Sequence, residues 1–188
     1  MKKLVELKLR ELQLKDIEDY RVWTHPSREY HKYNGPYYKH ANEEEHEENI
    51  KVLRNRLESG EQNVLGNKEI IVDGETNEII GLVNWYWKSE ETNWLEVGIV
   101  IFNEKYWGYG IGYKALALWI DKVFESNDEL VRIGLTTWSG NVRMMRLAEK
   151  LGLKKEAEYR NARIVNGVYY DSVSYGILKE EWDGLVRK

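Results

Sequence analysis

Gly108, Gly110 and Gly112 stand at every second position of EKYWGYGIGYKAL, residues 104–116, and run into an apolar segment. Backbone amides stripped of side chains at a helix start form a cradle for an anion, aided by the helix dipole. The chemistry implied is the holding of a phosphate or pyrophosphate. A Walker-type phosphate loop needs Lys and then Ser or Thr directly after its last glycine. Tyr113 follows Gly112, which excludes it. The dinucleotide fingerprint is a closer rival, since Gly110, Gly112 and Ala115 satisfy its spacing and Glu129 follows at roughly 20 residues. Two details oppose it. NEKYWGY separates the glycines from the strand that ends at Phe102, and Asp128 and Glu129 precede the next strand instead of ending it.

The elements that must position this turn are read from periodicity. LVELKLREL (4–12) reads as a first strand, KDIEDYRVW as a short helix with Asp16 near its start, and THPSREYHKYNGPYYKH as an ordered loop holding both prolines. ANEEEHEENIKVLRNRLESG predicts a helix in which Asn42 and Glu45 form a capping box. Its His46, Ile50, Leu53 and Leu57 share one face, and Gly60 closes it. KEIIV and EIIGLVNWYWK, joined by DGETN, read as a hairpin. NWLEVGIVIF is a strand with Leu95, Val97, Ile99 and Ile101 on one face and Glu96, Gly98, Val100 and Phe102 on the other. YKALALWIDKVFES is apolar nearly all round and reads as a buried helix, and LVRIGLTTW as a strand. Asn141 caps VRMMRLAEKL, with Gly152 as its stop. The chain continues in a long hairpin about the Asn166-Gly167 turn. The mixed order gives one α/β (α+β) domain over residues 1–188.

The totals narrow the classes. A length of 188 residues, 42% hydrophobic and 32% charged, suits a soluble globular domain, and the net charge of −4 argues against a nucleic-acid partner. No uninterrupted apolar run marks a signal peptide or membrane span, so the expectation is a cytoplasmic protein without a membrane partner. Zero cysteines exclude disulfides, thiolate metal sites and a cysteine nucleophile, and the four histidines have no metal spacing, so no metal is expected. Eight Trp and thirteen Tyr against two Phe suit the walls of a wet cleft or half-buried strands, and both readings stay open.

EVGIVIFNEKYWGYGIGYKALALWIDKVF followed by GLTTWSGNVRMMRLAEKLGLKKEAEYR resembles the GNAT family of acyl-CoA-dependent N-acetyltransferases. It is most similar to the branch acting on ribosomal-protein N-termini and related amines. The family signature places Arg or Gln, then Gly, then Gly or Ala; here Trp107, Gly110 and Gly112 fill those positions. The second motif falls at Asn141 and at Glu149 to Gly152, in register with the first. The resemblance implies a GNAT-like, mostly antiparallel sheet with a splayed parallel strand pair flanked by helices. It implies acetyl-CoA as co-substrate, with amides of Trp107, Gly108, Tyr109, Gly110, Ile111 and Gly112 on the pyrophosphate. The backbone of Val97, Ile99 and Ile101 would lie along the pantetheine arm, Asn141 near that arm and Arg146 near the phosphates. Asn141 as a plain helix cap and Arg146 as a solvated charge are the competing readings.

Acetyl transfer to an amine requires the ammonium to lose a proton, at about pH 8 for an α-amino group and about 10.4 for a lysine. Glu96, on an otherwise apolar strand at the position where relatives carry a catalytic Glu, is the expected base, directly or through a water. A strand carboxylate paired with a nearby Lys or Arg is the alternative. The family's usual acid positions hold Ala148 and Met144, so no acid is named. Tyr33, Tyr37, Tyr38, Tyr169 and Asp171 are the candidates to surround the acceptor, a small-molecule amine or peptide N-terminus. Loop and hairpin packing would explain them equally. A module that binds acyl-CoA but has lost catalysis is the rival function, and exposed aromatics leave a homodimer open.

Overall fold

A computed structural model describes residues 6–186. Its strands are β1 (Leu7–Arg10), β2 (Lys68–Asp73), β3 (Ile79–Ser89), β4 (Trp94–Ile101), β5 (Arg132–Trp138), β6 (Lys154–Val165) and β7 (Val168–Leu178). The helices are α1 (Ile17–Thr24), α2 (Glu43–Glu58), α3 (Ile111–Glu125), α4 (Val142–Lys150) and α5 (Lys179–Val186). The strands form a seven-stranded sheet in the order β1-β2-β3-β4-β5-β7-β6. β4 and β5 pair parallel, while β1–β2, β2–β3, β5–β7 and β6–β7 pair antiparallel. The expected first strand is shorter than LVELKLREL, and its Leu4 lies outside the described residues.

Packing divides the chain into two compact units, one built from residues up to Asn84 together with Ile99–Ala115, the other from Trp85–Gly98 and Leu116 onward. In the first, Leu12, Ile17, Tyr30, Ile50, Ile70, Val72, Ile79 and Phe102 form the core. Asp16 is buried there, and the Arg10 guanidinium grips its carboxylate with two hydrogen bonds of 2.6 and 2.9 Å. The capping box of α2 is present: Asn42 Oδ1 accepts from the Glu45 N–H and Glu45 returns a carboxylate oxygen to the Asn42 N–H, both at 2.9 Å.

All four histidines gather beside this core. His46 Nε2 lies 2.9 Å from the Thr24 hydroxyl and its ring packs edge-on against His25, while His31 stacks on Tyr30 and meets His40. Burial, together with the neighbouring His40, holds His31 below the ordinary imidazole pKa. Burial does the same to His46, against an opposing pull from Glu47. A folded-state pKa below the unfolded one of about 6.5 means the unfolded chain binds more protons as pH falls. The stability from these neutral rings is present above that value and lost as pH drops through the folded values. The carboxylates held below their usual range, such as Glu47 and Glu61, act only in more acid solution. Urea midpoints are therefore expected to fall between pH 7.5 and 5.5, and a His31→Gln/His46→Gln chain should lose most of that dependence.

In the second unit the β6–β7 hairpin turns at Asn166 and Gly167 with φ of 51° and 77°, the left-handed pair that a two-residue turn requires. Two features differ from the sequence reading. α3 is not buried all round, because Leu118 is 44% exposed and Tyr113 37%. Ala115, Leu116, Trp119, Ile120, Val123 and Phe124 form its buried stripe, and the apolar Leu118 opposite hid that periodicity. α5 was not expected. Glu181 closes its first turn by accepting the Leu178 N–H, and buried Trp182 donates its indole N–H to Asp121 at 2.7 Å.

Candidate active site

Glu96 is 2% exposed, on β4 in the second unit. A buried carboxylate needs donors. The Tyr86 hydroxyl on β3 donates to Oε2, and the Thr136 hydroxyl on β5 donates to Oε1 at 2.9 Å. With its one proton on Glu96, Thr136 accepts from Ser174 of β7 at 3.0 Å. The Lys88 ammonium stands 3.5 Å from Oε1 as countercharge. Glu96 thus anchors a polar chain running over four adjacent strands. Gly134, paired with Glu96, leaves the room: a Cβ there would stand 3.4 Å from the Glu96 Cγ and 3.2 Å from the Tyr175 carbonyl. The Lys pairing expected as the alternative use of Glu96 is therefore present, on the residue named as the candidate base. Tyr86, Thr136, Ser174 and Lys88 were not singled out in the sequence, since what joins them is strand register.

The parallel pairing of β4 with β5 is confined, among the described residues, to Leu95↔Ile133 and Glu96↔Gly134. From Val97 on, β4 parts from β5, which is the expected splay. Val97 is buried, and Ile99 and Ile101 are half-buried further along β4. The Ile101 carbonyl accepts the Trp107 indole N–H at 3.0 Å.

The glycine turn lies in the first unit. The Trp107 N–H donates to the Glu104 carbonyl at 2.9 Å and its ring stands edge-on to Tyr33. Trp107 pins the start of the turn, its own N–H already engaged within the chain. Gly108 and Gly110 have φ of 82° and 77°, are exposed, and have nothing within 4 Å of where a Cβ would stand. The Lys114 N–H donates to the Gly110 carbonyl at 3.1 Å as α3 begins at Ile111, so the turn leads straight into the helix N-terminus. An open, side-chain-free turn ahead of a helix N-terminus fits a pyrophosphate. Tyr109 is 59% exposed beside it.

At the start of α4 the Asn141 side-chain Oδ1 accepts from the Met144 N–H at 3.1 Å, so the capping role is present. Arg146 is exposed on the same helix, Met144 half-buried and Ala148 fully buried. Asn141→Ala is expected to lower stability by about 1 kcal/mol through loss of the cap. Asn141→Ser should restore the stability, and any weakening of coenzyme A binding that remains in it, measured by titration calorimetry, isolates a ligand contact.

The acceptor candidates are placed as follows. In the first unit Tyr37 and Tyr38 stack at 4.7 Å and Tyr38 is 66% exposed, while Tyr33 packs on Trp107. In the second, Tyr169 is exposed opposite Ile164. The Asp171 carboxylate accepts from the Asn161 N–H at 2.9 Å, bracing a bulge where Asn161 has φ 53°. That brace is a structural use of Asp171. Among the described residues no group of three His, Asp or Glu side chains is arranged to hold a metal ion, and no helix is long and apolar enough to cross a membrane.

The sheet is mostly antiparallel with one parallel pair, β4–β5, and a glycine turn leads into α3, an arrangement shared with acetyltransferases of known structure. The chain belongs to the GNAT acetyltransferase family, whose domain model matches residues 6–154. It is similar to YdaF of Bacillus subtilis (strain 168), whose name assigns it provisionally to ribosomal N-acetylation, at 30% identity over 61% of this chain and 60% of that protein. It is similar also to YokL of the same organism, a prophage-derived uncharacterized N-acetyltransferase, at 28% over 61% and 63%. The chain thus spans about three fifths of the length of these curated relatives. Among solved structures, a GNAT-family acetyltransferase from Bacillus anthracis superposes with TM-score 0.73 at 23% identity, covering 95% of this chain and 98% of that one. Spermidine N-acetyltransferase from Vibrio cholerae, in complex with CoA and spermine, does so with TM-score 0.69 at 20%, covering 94% and 97%. These two likenesses establish the fold.

Proposed function

We propose that the chain acts as one cytoplasmic acetyltransferase domain, moving the acetyl group of acetyl-CoA to a primary amine. The observation that carries this reading is Glu96, buried with its hydroxyl donors at the point where β4 and β5 stop pairing. Acetyl-CoA, when bound, supplies an activated acyl group and a thiolate leaving group. The amides of Gly108–Gly112 hold its pyrophosphate, and the backbone of β4 beyond Glu96 lines its pantetheine arm. The N–H of Val97 or its neighbours polarises the acyl carbonyl. Glu96 takes the proton of the ammonium. Holding both reactants in attack geometry supplies much of the remaining acceleration, up to roughly 7–11 kcal/mol of barrier in well-oriented systems.

The provisional assignment of YdaF makes a ribosomal-protein N-terminal peptide the first acceptor to try, with spermidine and an aminoglycoside as further amines. Thiol release from acetyl-CoA is the assay, and a chain without cysteines adds no background to it. Release that depends on one of these amines supports the reading. Tight acetyl-CoA binding with no release above hydrolysis would return the chain to the lapsed-module alternative, against which the intact Glu96 cluster argues.

A further inference from the structure

We infer that Tyr86, and not Glu96 itself, meets the acceptor amine, its hydroxyl relaying the ammonium proton inward to the carboxylate; the inference rests on the acetyltransferase reading above. Glu96 is 2% exposed, and both of its oxygens are engaged, Oε2 by Tyr86 and Oε1 by Thr136 and Lys88. An amine arriving from solvent therefore finds no open carboxylate oxygen. The proton has to enter through one of the three groups that touch Glu96.

Two of them are unsuited. An ammonium such as Lys88 has no lone pair to accept a proton, and its charge repels a second cation. Thr136 donates to Glu96 and accepts from Ser174, so its route leads along the sheet to β7. Tyr86 remains. It is 40% exposed while its hydroxyl donates to Oε2, so one residue spans from solvent to the buried base.

The step balances without any further reactant. One N–H bond of the ammonium breaks as an O–H bond forms on the Tyr86 oxygen, and the original Tyr86 O–H breaks as one forms on Glu96 Oε2. A cation and a carboxylate become a neutral amine and a neutral acid, and Tyr86 is uncharged before and after. The freed nitrogen lone pair then forms the C–N bond as the thioester C–S bond breaks. A second N–H proton, surplus once the amide forms, goes to the departing sulfur. That transfer needs no side-chain acid, in keeping with buried Ala148 and with Met144 on α4.

The test uses the full chain with whichever amine it turns over, reading kcat/KM for the amine in mixtures of light and heavy water. Two protons in flight give the unmodified chain a bowed dependence on deuterium fraction. Tyr86→Phe should lower kcat/KM for the amine at least tenfold, leave KM for acetyl-CoA unchanged and straighten the plot. Thr136→Val removes the other hydroxyl from the same carboxylate and should cost far less rate while keeping the bow. Equal losses in the two variants, or an unaltered plot in Tyr86→Phe, overturn the relay and leave the acetyltransferase reading standing. A straight plot in the unmodified chain overturns it too, even if Tyr86→Phe does not fold. No amine-dependent release at all removes the acetyltransferase reading and the relay with it.

Discussion

Glu96→Gln is expected to lower kcat by roughly 10²–10⁴, the range of a lost general base, with the affinity for acetyl-CoA intact. The amide keeps the shape of the carboxylate and one acceptor oxygen for the Thr136 hydroxyl. Its NH2 must donate where the carboxylate accepted, and the Tyr86 hydroxyl can turn to receive it, since a phenol is both donor and acceptor. Lys88 loses its partner, but at 42% side-chain exposure it is served by water. The change in stability should therefore stay within about 1 kcal/mol, the net worth of one rearranged hydrogen bond. Steady-state rates with saturating acetyl-CoA, set beside a urea melt of the same preparation, separate the two effects. A kcat within threefold of the parent would remove Glu96 from the mechanism.

The other large effect is expected at the glycine turn. Gly110 has φ 77°, a region where a β-branched residue is strained by about 1–3 kcal/mol. Nothing lies within 4 Å of a Cβ built there, so valine meets no clash in the folded protein, and the change falls on the turn itself. A turn that relaxes toward negative φ re-aims the N–H groups that precede and open α3. Each hydrogen bond to a charged oxygen lost this way is worth about 1.5–3 kcal/mol. One or two such losses correspond to a coenzyme A dissociation constant raised roughly 10- to 10⁴-fold. Titration calorimetry with coenzyme A measures it directly. An unchanged constant in Gly110→Val would place the pyrophosphate elsewhere.

What the sequence disclosed follows from the range of the forces involved. The Asn42/Glu45 box, the Asn141 cap and the Asn166-Gly167 turn are set by groups three or fewer residues apart, so their spelling is local, and each is found as expected. The glycine turn is equally local. The surroundings of Glu96 are not, because Tyr86, Thr136 and Ser174 come from strands up to 78 residues away, brought together by register alone. The bulge that Asp171 braces at Asn161 is likewise a matter of strand pairing, across ten residues. α5 escaped notice because its anchor is Trp182 on Asp121, a pairing across 61 residues.

The outermost strand, β6, carries a further consequence for the behaviour of the protein in concentrated solution. The outward-facing backbone groups of a twelve-residue strand at the rim of a sheet would ordinarily template strand after strand from neighbouring copies. Its ladder to β7 is instead irregular between Lys155 and Ala157 and again between Tyr159 and Arg163, and Lys154, Lys155, Glu156, Glu158, Arg160 and Arg163 make the strand rich in charge. Bulges and charges of this kind blunt an edge strand against pairing with a copy of itself, the step from which fibrillar self-association starts.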